Sequence, residues 1–331
     1  MTVNGNGRDS PLVSVVIYTK NEEQDLPGCL QSVSWSDDVH VFDSFSTDQT
    51  VQIASRSGAN VRQRNFDNFA SQKNAALHGL TFRHAWVLLL DADERIPAPL
   101  AAELKQFAAS APLAVSAARL RRRDYFMGTW LKHAQISAYY IRLVRPEKAA
   151  FEREVNEVMK VDGEVRDVNE PFDHFPFSKG IAHWVHKHNM YSTMESGLAA
   201  GPQGHAGRYS WTRAVFAKDF HERRYHQKGI SLKLPFRPLV KFAYMMVIRR
   251  AFLDGRAGTA YAILQSFYEY LIVIKTRELA ANGTISPKTR RSVSQGSPCE
   301  VGSRNPAGLL PMDKTAIRGA LSANDSRDFP I

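Results

Sequence analysis

Trp86-Val87-Leu88-Leu89-Leu90-Asp91-Ala92-Asp93-Glu94-Arg95 is the stretch on which the reading of the whole chain turns. Five apolar residues without polar alternation read as a strand covered on both faces, as in a parallel sheet flanked by helices. Acids follow at once. In an open α/β sheet, ligands bind beyond the carboxyl ends of the strands, so this strand would deliver Asp91 and Asp93 to the mouth of a crevice. Two carboxylates one residue apart can hold a hard divalent cation, which keeps waters and takes further ligands from substrate phosphates. An isolated Asp-x-Asp is more often a plain acidic turn, so the neighbouring segments must decide.

Upstream, strand and helix alternate. Leu12 to Tyr18 is dense in β-branched residues and ends in Thr19-Lys20-Asn21-Glu22-Glu23; a helix follows to about Val33, with Pro27 near its start. Val39 to Phe42 is the second strand, ending in Asp43-Ser44-Phe45-Ser46-Thr47-Asp48. Helix Gln49 to Ser57, strand Asn60 to Arg64 and helix Asn68 to Leu80 complete the series before Trp86. This order predicts a parallel, doubly wound sheet with right-handed crossovers. The polar ends of three strands then share one edge: Thr19, Asn21 and Glu22; Asp43; and Asp91 with Asp93. Neither G-x-G-x-x-G after the first strand nor G-x-x-x-x-G-K-[ST] occurs, so phosphate would be held by metal and side chains.

Taken together, Val15 to Glu23, Val41 to Thr50, Ser71 to Ala75 and Leu89 to Arg95 resemble the successive motifs of the family 2 glycosyltransferases, nearest the lipopolysaccharide-core glucosyltransferase-like branch. The resemblance covers about residues 12 to 280. It implies a GT-A fold, Rossmann-like with a mostly parallel sheet flanked by helices, acting on a nucleotide-diphosphate sugar, usually UDP-linked, with Mg²⁺ or Mn²⁺. By position it would place Thr19, Asn21 and Glu22 around the nucleoside, Asp43 at the base, and Lys73 near the base or diphosphate. Asp91 would lie by the ribose and metal, and Asp93 would be the direct metal ligand. Ser44 stands where many relatives carry a second acid.

Inverting transfer needs a carboxylate that takes the proton from the attacking acceptor hydroxyl. Asp124, Glu154, Glu157 and Asp162 are candidates. Val155-Asn156-Glu157 resembles a Val-His-Glu element of relatives, which favours Glu157; Asn156 in place of His is a second departure. The strand Leu113 to Leu120 runs into Arg119-Leu-Arg-Arg-Arg123, and Arg122 and Arg123 suit an anionic acceptor because guanidinium forks match phosphate. His174 and Lys179 are further acceptor-side candidates.

The 331 residues bound one large α/β domain with an appendage: a flexible start over 1–11, the catalytic domain over 12–190 with donor part 12–95 and acceptor part 113–190, helices over 191–281, and a tail over 282–331. The tail is rich in Ser, Gly, Pro and scattered charge, and cannot bury a core. Two distant cysteines do not suggest an oxidising compartment, and the polar opening residues lack a secretory signal, so a cytoplasmic protein is expected. The net charge is +10, which suits polyanionic partners; no nucleic-acid module accompanies it. Pro238 is expected at the start of an apolar helix to Leu253, with a turn over Asp254 to Gly258 and a last helix ending near Leu279. Apolar helices flanked by Lys233, Arg237, Lys241, Arg249 and Arg250 fit a membrane surface, but no stretch reaches the roughly 18 to 20 apolar residues of a span. The sequence thus predicts an inverting glycosyltransferase, peripheral on the cytoplasmic membrane face, building lipopolysaccharide core or exopolysaccharide on a glycan or lipid-linked acceptor. A nucleotidyltransferase would need a glycine-rich loop after the first strand, and a silent nucleotide-binding assembly subunit would not need both Asp91 and Asp93.

Overall fold

The computed structural model describes residues 13–152, 158–200, 210–217, 223, 226, 230 and 236–284. These divide between two compact units, one formed by the chain up to Lys187 with Lys241–Gln265, the other by His188–Val240 with the chain from Ser266 on.

In the first unit, β1 (Val13–Thr19), α1 (Leu26–Ser32), β2 (Val39–Asp43), α2 (Thr50–Arg56), β3 (Asn60–Gln63), α3 (Phe69–Gly79) and β4 (Trp86–Asp91) follow the expected alternation. All four strands are parallel, in the order β3-β2-β1-β4. Local chemistry sets the boundaries. Pro lies in the first turn of α1, where its missing N–H costs nothing. Asn68 caps α3 by accepting from the Ser71 amide at 2.8 Å, so the helix begins one residue after it.

Beyond β4 the sheet becomes mixed. After β5 (Glu94–Arg95) and α4 (Ala98–Ser110), β6 (Val115–Phe126) turns through β7 (Thr129–Trp130), and β8 (Tyr139–Val144) inserts antiparallel between β4 and β6. β9 (Ala149–Glu152) and β10 (Val158–Val161) form a separate hairpin pair; β11 (Glu164–Asp167) and β12 (Phe172–His174) run parallel to β6, with β5 antiparallel at the edge. The parallel series expected for the first four strands is present, and β5, β7 and β8 are the strands that pair antiparallel in the larger sheet. The connection from β6 to β8 holds the short β7 and no crossover helix, and β8 returns antiparallel to β6.

Strand β6 also runs through the arginine cluster instead of ending in it. Alternation explains how. Arg119 and Arg123 point to one face and meet Asp167 and Asp173 at 2.7 and 2.6 Å. Arg122 and Asp124 point to the other, buried as a pair at 3.0 Å. Apolar layers cover both faces of the parallel strands: Val15, Ile17, Leu88, Leu90 and Leu104 on one side, Val16, Phe42, Leu77, Val87 and Leu89 on the other.

Helix α5 (Gly180–Ala200) leads into the second unit, where α6 (Trp211–Phe216) and α7 (Arg237–Ala243) begin the helical part. The expected helix to Leu253 is broken into α7, a π-helical turn over Tyr244–Ile248 and a 3₁₀ turn over Ala251–Asp254, with Arg250 left-handed at φ 56°. Nor is Asp254 to Gly258 an open turn: α8 (Gly255–Thr284) starts inside it. The cause is the Asp254 carboxylate, which is drawn inward to accept from the backbone amides of His133 and Ala134 at 2.8 and 2.7 Å.

That inward fold makes Gly258 a packing residue. A Cβ there would stand 2.0 Å from the Ala251 carbonyl oxygen and 2.7 Å from the Asp254 Cβ. Gly258→Ala is expected to cost about 1–3 kcal/mol, the range for overpacking, seen as a lowered melting temperature. An unchanged melt would contradict this close approach.

Candidate functional site

The site lies at the carboxyl ends of β1, β2 and β4. Strand pairing puts Thr19 beside Asp43 and Tyr18 beside Asp91, so the three polar strand ends predicted from sequence do share one edge.

The β1 and β2 ends are tied together by their own side chains. Asp43 is fully buried and accepts from Thr19 Oγ1 at 2.9 Å, Ser46 Oγ at 2.5 Å, the Ser46 amide at 2.8 Å and Gln63 Nε2 at 2.9 Å. Burial alone would raise its carboxyl pKa, but these donors hold it below the usual range. A nucleoside reaching Asp43 would have to displace one of them. Asn21, left-handed at φ 54°, accepts from the Thr47 amide at 2.8 Å through Oδ1. The Glu22 amide donates to Thr50 Oγ1 at 2.7 Å. Lys179, expected on the acceptor side, instead reaches this edge: its Nζ donates to Glu22 Oε1 at 2.7 Å and to the Asn21 carbonyl at 2.9 Å. Burial pushes the Glu22 carboxyl up to about 7 despite Lys179.

Lys73 extends from α3 toward the same edge, with Nζ 5.8 Å from the Tyr18 ring centre and 5.3 Å from that of Phe151. Asp91 has 43% of its side chain exposed and Asp93 31%, so both remain accessible at the strand end. Against the effect of burial, Arg142 and Lys73 keep the Asp91 carboxyl ionised below its ordinary pKa.

Two buried groups shape the turn that carries these acids. Glu94 is buried and accepts the Asp91 amide at 3.0 Å through one oxygen, while the other pairs with Arg142. Arg142 also reaches Asp91 at 3.2 Å. Burial drives the Glu94 carboxyl up to about 7, with Arg142 opposing it, and the acids around Arg142 hold the guanidinium charged. This support escaped the sequence reading, although one signal was available: Arg142 is a charge inside an otherwise apolar strand, which requires a buried partner.

His174, expected on the acceptor side, lies instead against Asp93. Its Nε2 lies 3.3 Å from Asp93 Oδ2, and its Nδ1 lies 2.5 Å from Asp124 Oδ1. Asp124 is in turn paired with Arg122 at 3.0 Å. The imidazole is mostly screened from solvent, which disfavours its charge, but Asp93 and Asp124 raise its pKa to about 9. Asp93 is correspondingly depressed against burial, chiefly by His174. Among the described residues, no group of three His, Cys, Asp or Glu side chains converges for a metal. The donors present nonetheless suit a divalent ion with an open coordination sphere. Asp93 and the imidazole face each other, an ion held between them would take the place of the Nε2 proton, and a metal-ligating His normally bonds a carboxylate through its other nitrogen, as His174 does with Asp124.

The remaining candidates separate. Arg122 is buried against Asp124 and the Tyr140 ring, and Arg123 is paired with Asp173. Asp124 is buried and occupied by His174 and Arg122, whereas Asp162 pairs with Lys148 at 2.9 Å on the surface. Glu154 and Glu157 lie outside the described residues.

Residues 14–163 match the model of the family described as Glycosyl transferase family 2. An uncharacterized glycosyltransferase of Rickettsia bellii is 26% identical over 301 residues, covering 84% of this chain and 90% of the relative. A second, from Rickettsia typhi, is 27% identical over 291 residues, covering 81% and 87%. Among solved structures, a Pyrobaculum calidifontis mannosyltransferase in complex with GDP-Man and Mn²⁺ aligns with a TM-score of 0.46 at 17% identity, over 81% of this chain and 87% of that one. Glucosyl-3-phosphoglycerate synthase of Mycobacterium tuberculosis, in complex with Mn²⁺, UDP and glucosyl-3-phosphoglycerate, aligns with a TM-score of 0.30 at 24% identity. That match covers 34% of this chain and spans less than half of the synthase, 44%.

Proposed function

We propose, on the premise that residues 14–163 are a glycosyl transferase family 2 domain of GT-A fold, that the protein moves a sugar from a nucleotide-diphosphate donor, UDP-linked by expectation, to a glycan or lipid-linked acceptor with inversion. The observation that carries this reading is the chain Asp93–His174–Asp124–Arg122 at the strand end, beside Asp91. Asp93 and His174, with Asp91 alongside, would hold Mg²⁺ or Mn²⁺; when bound, the ion stabilises charge on the leaving diphosphate. Arg142 and Glu94 orient the turn that presents Asp91.

Thr19, Asn21, Glu22 and Asp43 line the nucleoside side in this reading, and Lys73 faces the diphosphate. The acceptor oxygen bonds to the anomeric carbon as the bond to the diphosphate oxygen breaks, and Glu157 takes the hydroxyl proton. Of the acceptor-side candidates, Arg123 keeps that role; Arg122, His174 and Lys179 act through the metal site and the nucleoside edge. Lipopolysaccharide core or exopolysaccharide synthesis, at the cytoplasmic membrane face, is the setting that fits.

Calorimetric titration with UDP, GDP and CDP, with and without Mn²⁺, tests the proposal. One nucleotide should bind in a metal-dependent way; binding of none would end the reading. Glu157→Gln is expected to retain that binding while transfer falls by about 10²–10⁴-fold, the usual contribution of a positioned general base. Wild-type turnover in this variant would remove Glu157 from the mechanism.

A further inference from the structure

We propose that the corner built by residues 241–265 docks on an anionic lipid bilayer. This segment has a satisfied inner face: Met245, Ala251, Ala257, Tyr261 and Ala262 pack with Phe126, Leu131 and Ala134. Its outer face is nevertheless apolar. Val247 and Ile248 are 69% and 68% exposed, and Phe252 and Leu253 are 51% and 54% exposed. The broken helix produces this: the π-helical turn and the 3₁₀ turn each present two adjacent large apolar residues outward, which a continuous amphipathic helix would not do. Single exposed apolar residues need no explanation, but a contiguous group marks a binding surface.

Charge selects the occupant. Lys241, Arg249, Arg250 and Arg256 lie in the segment, Arg250 and Arg256 exposed. Its one acid, Asp254, is buried and bonded to His133. Exposed apolar side chains in a segment that carries two exposed arginines and no exposed acid suit insertion at headgroup depth among anionic lipids. No helix among the described residues is long and apolar enough to cross a membrane, so the contact is one of lying on the surface. The surface rests on its own geometry; the transferase reading adds only that a lipid-linked acceptor would be met there.

The full chain is sedimented with vesicles of phosphatidylcholine alone or mixed with phosphatidylglycerol, at low and high salt. Binding to the mixed vesicles only, weakened by salt, is expected. Val247→Ser with Ile248→Ser, and separately Phe252→Ser with Leu253→Ser, should each reduce partitioning at least about tenfold, given the transfer free energy of two large apolar side chains. Arg250→Glu with Arg256→Glu, both exposed, should reduce it comparably. A thermal melt close to that of the wild type reports that each variant is folded. Asp93→Ala should still bind vesicles, so failure of the transferase reading and failure of this one are separable. Equal binding of all variants, or a concentration-dependent dimer that the same substitutions dissolve, would overturn the proposal, the second in favour of an interface between copies.

Discussion

Asp93→Ala is expected to abolish Mn²⁺-dependent nucleotide binding and to lower transfer at least about 10³-fold. The magnitude follows from what the residue would do: a divalent ion supplies several kcal/mol of charge stabilisation to a leaving diphosphate, and each 1.36 kcal/mol is tenfold in rate. Asp93 is exposed enough that its removal leaves no hole in the core, so the thermal melt should stay close to wild type. His174 would lose the charge that chiefly raises its pKa, and the imidazole should then titrate nearer its ordinary value. Asp124→Asn separates the direct ligand from its support. It leaves Asp93 in place but removes the carboxylate behind His174, and should weaken metal affinity about 10–100-fold, the usual effect of losing an outer hydrogen-bond partner. Metal-dependent binding that survives Asp93→Ala would overturn the assignment of the ion to this residue.

Arg142→Met is expected to be the most destabilising single change in the site. Glu94 would be left buried with its ionic partner gone, and removing one member of a buried pair costs about 3–5 kcal/mol. Burial already pushes the Glu94 carboxyl up to about 7 against the pull of Arg142; without that pull its pKa rises further and the group is neutral near pH 7. The loss of stability should therefore be greatest at high pH, where the orphaned carboxyl must ionise, and smaller at low pH, where it stays protonated. Combining Arg142→Met with Glu94→Leu should recover much of the stability, because a well-packed apolar pair can replace a buried ion pair. It should not recover nucleotide binding, because Asp91 would still lack the Glu94 oxygen that fixes its amide. Denaturant unfolding of the two single variants and the double, combined as a cycle, measures the coupling. Strict additivity would show that the two groups do not act as a unit.

Much of this protein was legible from residue order alone. The apolar run Trp86–Leu90, and Val13–Ile17 with Ser14 as its one polar residue, required strands buried on both faces, and those strands pair in the parallel part of the sheet. Polar residues at their ends could only fall on one edge, since parallel strands end on the same side; Thr19, Asp43 and Asp91 do so. What the chain order could not determine was partnership across long sequence separations. Arg122 stood as an acceptor-binding candidate and Asp124 as a general-base candidate until strand alternation turned them inward and parallel pairing with β12 set Asp124 opposite His174. Arg142 and Glu94, 48 residues apart, meet only because β8 inserts antiparallel beside β4, and Lys179 reaches Glu22 across 157. The apolar corner likewise depends on Asp254 being drawn to His133 across 121 residues. Apolar periodicity is a local property and specifies the elements, whereas the partner of a buried charge is set by which strands become neighbours, and that is decided only when the sheet assembles.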